Sequence, residues 1–233
     1  MSNSPFDKEH ARSYTERPPR QVPGFDSLHR TAGMLLAERT PANGRMLVLG
    51  AGGGLELKAL AASHAGWSFD GVDPSAAMLD VARDTAAPYL DRMQLIEGYV
   101  DSAPDGPYDG ATALLTFHFI PRAQRLQTLQ QLFRRLKPGG VLLLAHLSFP
   151  QTEPARSHWL ARHVAYPATA DTAPEQLVAA QEMMKEALAA GTLTILAPEE
   201  EEAMLGEAGF ENVALFYAGL GFRGWAAYKP RSA

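Results

Sequence analysis

The stretch MLVLGAGGGLE, residues 46–56, decides how the rest of the chain is read. It opens with a short, almost wholly apolar run ending at Gly50, the pattern of a strand buried on both faces of a parallel sheet. Glycines at 50, 52, 53 and 54 follow, and then a helical pattern from about Leu55 to His64. Glycines let the backbone turn through dihedrals closed to other residues and let a ligand touch the main chain. The N-terminus of the next helix offers unpaired N–H groups to a polar or anionic group. The dinucleotide fingerprint G-x-G-x-x-G needs a glycine at position 55, where Leu55 stands, and this disfavours a nicotinamide cofactor.

Outward from this turn, strands and helices alternate. WSFDGVD (67–73) reads as the second strand, and Pro74 and Ser75 open a helix through Arg83. MQLIEG (93–98) and GATALLTF (110–117) read as the third and fourth strands. A helix from about Arg122 to Leu136, closed by Pro138-Gly139-Gly140, leads to VLLLAHL (141–147), the fifth. Helices joining successive strands make this an α/β, doubly wound sheet. NVALFY (212–217) and FRGWAAYK (222–229) are joined only by Ala218–Gly221, a link so short that the pair must be antiparallel. Upstream, Pro18, Pro19 and Pro23 keep Arg17–Gly24 out of regular structure, and Asp26 stands as the N-cap of a helix near 27–39. Residues 151–191 carry two helical patterns and no strand. The expected organisation is an N-terminal helical cap (1–44), a ligand-binding core (45–150), a helical lid or insertion (151–197), and a helix with a hairpin (198–233) completing a seven-stranded Rossmann-like sheet.

Composition narrows the chemistry. The 233 residues carry 21 Lys and Arg against 26 Asp and Glu, a net charge of −5, with 46 % apolar residues, as in an ordinary soluble globular protein. Zero cysteines exclude a disulfide scaffold, a thiolate metal site and a Cys nucleophile. His10, His29, His64, His158 and His163 show no metal-ligand spacing, so no metal is expected. Mild acidity argues against nucleic acid as a partner. The clusters Arg12, Arg17, Arg20 and Arg30, and Arg122, Arg125, Arg134 and Arg135, then read as exposed helix and tail charges. Glu199–Glu202 reads as the solvated first turn of a helix opened by Pro198. No apolar run reaches membrane-spanning length and the N-terminus is polar, so a cytoplasmic protein is expected. The oligomeric state is not readable from the sequence; Met183-Met184 on the lid is the candidate surface for an interface in a homo-oligomer.

Asp73 ends the second strand 19 residues after Gly54, where a carboxylate can accept hydrogen bonds from both hydroxyls of a ribose, or cap the helix that follows Pro74. After the third strand come Gly98-Tyr99-Val100-Asp101, with Asp101 placed to serve an adenine amino group or to cap a turn before Pro104. His118 and His146 follow or end the fourth and fifth strands at the carboxyl edge, and are the candidate general bases.

These motifs together resemble the class I S-adenosylmethionine (SAM) dependent methyltransferases. VLGAGGG matches the carboxypropyl loop, GVDPS the ribose site, GYVD the adenine site, and the LKPGG turn and terminal hairpin complete the order. The resemblance implies SAM as cofactor and methyl transfer to a small-molecule acceptor. Arg20-x-Val22-Pro23-Gly24-Phe25 before the glycine turn is similar to the carboxy-SAM synthases, enzymes of tRNA wobble-uridine modification. That likeness implies cofactor contacts at Phe25, Gly50, Ala51, Gly52, Asp73, Pro74, Tyr99 and Val100, and Gly54, Asp101 and Leu115 join the set. Two features depart from it: Leu114 stands where that branch has Asn, and no Arg falls between Arg162 and Arg223 to hold an added carboxylate. Phe25, Phe117 and Phe119 are candidates to face a sulfonium. Trp159, His163, Tyr166, Tyr217 and Arg223 are candidates to line an acceptor pocket. A carboxy-SAM-synthase-like enzyme and a non-catalytic subunit of the same fold stay as alternatives.

Overall fold

The apolar run after Gly44 becomes β1 (Arg45–Leu49), the third strand from one edge of a seven-stranded sheet. The computed structural model describes residues 15–231. The other strands are β2 (Ser68–Asp73), β3 (Met93–Glu97), β4 (Tyr108–Leu114), β5 (Leu136–Leu147), β6 (Glu211–Gly219) and β7 (Phe222–Tyr228). They lie in the order β3-β2-β1-β4-β5-β7-β6. The first five are parallel, and β7 runs antiparallel between β5 and β6. The order reverses between β1 and β4. In open α/β sheets the crevice outside the carboxyl ends of the strands at such a switch point is where ligands bind.

Helices cover both faces, which is why β1 shows no polar alternation. Met46 and Val48 pack with Leu28 and Leu36 of α2 (Phe25–Ala37) and with Leu57 and Leu60 of α3 (Leu55–Ser63), with α1 (Arg17–Gln21) preceding α2. Leu47 and Leu49 point the other way, into a second core. This core holds Leu129 and Leu132 of α5 (Arg122–Arg135) and Leu205 of α8 (Pro198–Glu207). Between α3 and α5, α4 (Ala76–Thr85) follows β2, its N-cap Ser75 accepting from Met78 N. The insertion holds α6 (Ala155–Ala165) and α7 (Pro174–Ala189), and buries Leu160, Val164 and Met184 in the first core.

Several local expectations are corrected. Arg17–Gln21 is helical, because Pro18 and Pro19 sit in a first turn where a missing N–H costs nothing. The N-cap of α2 is Gly24, at φ 65°, rather than Asp26, which lies in its first turn. Strand β4 ends at Leu114, because Leu115 turns the chain at φ 59°. Strand β5 starts at Leu136 and takes in Pro138-Gly139-Gly140. The acidic run is not a solvated turn: Glu201 is fully buried, Glu200 pairs with Arg122, and Glu202 accepts from Trp225 Nε1. Arg125 and Arg135 are buried too, so the second arginine cluster forms no continuous basic surface. Arg12 of the first cluster lies outside the described residues. Met183 is exposed, but Met184 is buried. Among the described residues no helix is long and apolar enough to cross a membrane.

Candidate functional site

The glycine turn sits at the switch point, wedged between β2 and the end of β4. Gly50, Gly52 and Gly54 take φ values of 77°, 50° and 79°, the left-handed region that side chains resist. At Gly54 a Cβ would come within 2.8 Å of Ala82 Cα on α4, so the turn and that helix are in backbone contact. Gly54→Ala is therefore expected to lose about 2–4 kcal/mol, combining left-handed strain with overpacking. Urea unfolding checks this, and a loss under about 0.5 kcal/mol would show that the approach is not tight.

Asp73 closes β2 over this turn. Its Oδ2 accepts from Gly52 N at 2.9 Å and its Oδ1 from Ser75 N at 2.9 Å, so one carboxylate both braces the glycine turn and enters the helix start. Burial pushes its carboxyl up, against those two hydrogen bonds. Each oxygen keeps a second lone pair for a donor from the crevice. Other main-chain donors of the turn are also engaged. Gly50 N and Ala51 N both donate to Val72 O, at 2.8 and 2.9 Å, and Gly54 N donates to Ala51 O at 3.0 Å. The turn therefore offers a ligand fewer N–H groups than its glycines alone suggest.

On the far side of the crevice, Leu115 is held in its positive-φ conformation by Leu115 N donating to Ala145 O. Thr116 Oγ1 lies 3.2 Å from Leu49 O and 3.1 Å from Leu114 O, latching the end of β4 to the end of β1. A Cβ on Gly50 would overlap the Thr116 side chain. Nothing in the one-dimensional pattern marks Thr116 as part of the site, since its role depends on two strands meeting.

A cavity of about 40 Å³ opens beside the turn, lined by Gly50–Gly53, Leu55, Glu56, Leu114, Leu115 and, from the N-terminal segment, Pro18, Phe25 and His29. Its enclosed part has room for a few water-sized groups. Glu56, in the first turn of α3, is buried there, and its Oε1 has no hydrogen-bond partner among the described residues. Burial pushes its carboxyl up to about 8, which the hydroxyl of Thr112 on β4 counters only in part. His29 on the same cavity is lowered by burial, its Nδ1 hydrogen-bonded to Phe25 O at 3.1 Å. Beyond Asp73, Pro74 and Asp101 are exposed, Val100 is buried and Tyr99 is 69 % exposed at the crevice rim.

The two candidate bases have different surroundings. His146 is fully buried between the Phe117 and Trp225 rings, with its Nε2 2.8 Å from Glu201 Oε1, and no acceptor reaches it in this conformation. His118, in the turn Phe117–Phe119, is nearly buried. Burial first, then His146, Arg125 and His163, hold its imidazole well below the usual range, so it is neutral at pH 7. Of the aromatic candidates Phe25 lines the cavity, Phe117 is fully buried and Phe119 is half exposed.

The insertion and the hairpin meet around Trp159. The guanidinium carbons of Arg162 and Arg223 lie 4.8 and 5.5 Å from its ring centre, and His163 packs on Phe222 at 5.4 Å. Tyr217 donates to Pro23 O, tying the hairpin to the N-terminal segment, and burial pushes its phenol up to about 12. Among the described residues no group of three or more acidic or His side chains is placed to hold a metal ion.

Comparison with known proteins bears on this geometry. Residues 47–142, from within β1 to the middle of β5, match a family model described as a methyltransferase domain. Over 224 residues the chain is 24 % identical to a carboxy-S-adenosyl-L-methionine synthase of Campylobacter jejuni, spanning 96 % of this chain and 93 % of that protein. A protein of the same description from Campylobacter fetus is matched over 60 % of each chain. In three dimensions the chain is similar to a putative O-methyltransferase of Nostoc punctiforme, with TM-score 0.64, 20 % identity and 95 % of this chain covered. It is also similar to human N-acetylserotonin methyltransferase in complex with SAM, with TM-score 0.60, 14 % identity and 96 % of this chain covered. The chain spans 59 % and 57 % of those two structures' own lengths.

Proposed function

We infer that this chain, a class I SAM-dependent methyltransferase by its domain and fold, transfers the methyl group of SAM to a small-molecule acceptor. The observation that carries the reading is Asp73 fastened to the glycine turn at the switch point, with lone pairs left for a sugar diol.

When bound, SAM supplies a methyl group already activated by its sulfonium. Residues Gly50, Ala51, Gly52 and Gly54 shape the wall against which its amino-acid part would lie, and Asp73 would accept from the ribose hydroxyls. Pro74, Tyr99, Val100 and Asp101 would border the adenine, while Phe25 and Leu115 close the side of the crevice opposite Asp73. The chain's remaining task is to hold the acceptor in line, where orientation supplies up to roughly 7–11 kcal/mol in well-aligned cases. Trp159, His163, Tyr166, Tyr217 and Arg223 are the side chains assigned to that task. His118 is the remaining candidate base; its surroundings keep it neutral and also weaken it as a proton acceptor.

Titration of the full chain with S-adenosylhomocysteine tests the reading. Micromolar binding is expected, and Asp73→Ala should weaken it by roughly tenfold to a hundredfold, the worth of one or two hydrogen bonds to a charged acceptor. Wild-type protein that binds neither SAM nor S-adenosylhomocysteine would end it. An S-adenosylhomocysteine-release assay across small hydroxyl, amine and thiol compounds then identifies the acceptor class.

The likeness to carboxy-SAM synthases over most of the chain favours a second reading, chemistry on SAM itself. The lack of any Arg between Arg162 and Arg223 weighs against it, because an added carboxylate would lose its ion pair. Mass spectrometry of nucleotide co-purified with the protein separates the two, since carboxylation adds mass to the ligand.

A further inference from the structure

We propose that Glu56 is the carboxylate that receives the α-ammonium group of the cofactor's amino-acid part; the assignment rests on the SAM reading above. Among the described residues the cavity beside the glycine turn has one carboxylate in its lining, and that carboxylate is Glu56. It sits in the first turn of α3, buried, with Oε1 lacking a partner among the described residues. A buried acceptor left open is costly, so an unmade bond of this kind points to a group that arrives from outside.

The charge of that group follows from what else lines the cavity. Among the described residues neither Lys nor Arg is part of its wall, and the ring of His29 is the other titratable group there, already bonded through Nδ1 to Phe25 O. The nearest main-chain donors, Gly50 N, Ala51 N, Gly52 N and Gly54 N, are all taken by Val72 O, Asp73 Oδ2 and Ala51 O. A pocket in which four N–H groups of the turn are engaged and a carboxylate oxygen is free suits a cation with hydrogen-bond donors. An amino acid's ammonium has three donors and a positive charge, and its size matches an enclosed space of about 40 Å³. The hydroxyl of Thr112 faces Glu56 and lowers its carboxyl, but it is neutral and supplies no counter-charge. Burial that raises the carboxyl to about 8 is the cost that an arriving ammonium offsets.

Two ligands and two variants test the assignment. S-adenosylhomocysteine carries the ammonium; 5′-methylthioadenosine has the same nucleoside and lacks the amino-acid part. In Glu56→Gln and Glu56→Ala, binding of S-adenosylhomocysteine should weaken about tenfold or more, and that of 5′-methylthioadenosine should stay within roughly twofold of wild type. Equal weakening of both ligands would mark Glu56 as a support of the fold, and no change in either would also overturn the assignment. Glu56→Gln keeps the side chain's shape, so it serves if Glu56→Ala does not fold. Wild type that binds neither ligand sinks the SAM reading itself, whereas normal wild-type binding with indifferent variants sinks only the role of Glu56.

Discussion

Glu201→Ala is expected to cost about 3–5 kcal/mol of stability, because it leaves a guanidinium buried without its counter-charge. Glu201 and Arg125 are both fully buried and ion-paired, and His146 Nε2 lies against the same Oε1. Arg125 also donates from Nε to Ile120 O and from Nη2 to Thr194 O. Thr194 N donates to His118 O at 2.8 Å. The network thus pins the return of the helical insertion to the end of β4, to α5 and to β5. Burial pushes the Glu201 carboxyl up, but His146 and Arg125 outweigh it and hold the group below its ordinary value. Its contribution is therefore complete above the ordinary carboxylate range and is lost as pH falls through the lowered folded value. Urea unfolding at pH 7 measures the loss. Replacing both partners, Arg125→Met with Glu201→Leu, should recover much of it, since an unpaired buried charge costs more than a missing pair. A Glu201→Ala loss under about 1 kcal/mol would mean that water reaches Arg125 and that the cluster is not sealed.

Glu56→Gln should have the opposite sign in the ligand-free protein. Burial raises the Glu56 carboxyl to about 8 in the folded chain, above the ordinary value of 4.5. Such a group favours the fold fully below its unfolded value, and that stability drains away as pH climbs through the folded one. Wild type and variant should therefore differ little at pH 5. By pH 8 the variant should be more stable by on the order of 2–4 kcal/mol, because each unit of difference in acidity is worth about 1.4 kcal/mol. The buried histidines act in the other direction: His29 and His118 are lowered by burial, so folding stability falls as pH drops below their ordinary value of 6.5. Both proteins share that effect, and their difference isolates Glu56. Thermal or urea unfolding at half-unit steps from pH 5 to 8 gives the curve. A difference that stays constant across the range would show that Glu56 does not titrate there.

The two predictions concern acids in apparently similar settings, each in the first turn of a helix. Position in sequence does not separate them. Glu201 meets a guanidinium supplied by α5 and an imidazole supplied by β5, whereas Glu56 meets a hydroxyl and an opening. One is thereby a structural ion pair and the other a vacancy in the protein's own bonding.

The order of elements was legible from residues 46–229 because most strands are short apolar runs with glycine or proline at one end or both, and the helices between them carry their own spacing. The glycine turn and Asp73 were legible for a local reason too: they lie at the ends of adjacent parallel strands, and a strand's end fixes where its last side chain stands. Partnership across the fold was not legible. That Glu201 would be sealed rather than solvated, that Arg125 and Arg135 would leave the surface, and that His146 would be closed off all depend on segments far apart in the chain being packed together. Thr116, bridging β1 and β4, and Glu56, open beneath the N-terminal helices, belong to the same kind of knowledge. Sequence determined the succession of strands and helices, the glycine turn after the first strand and the acid at the end of the second, through periodicity and local backbone constraint. Only the tertiary structure decided which charges are paired, since the cost of an unpaired charge is set by burial, and burial is a property of the whole packed chain.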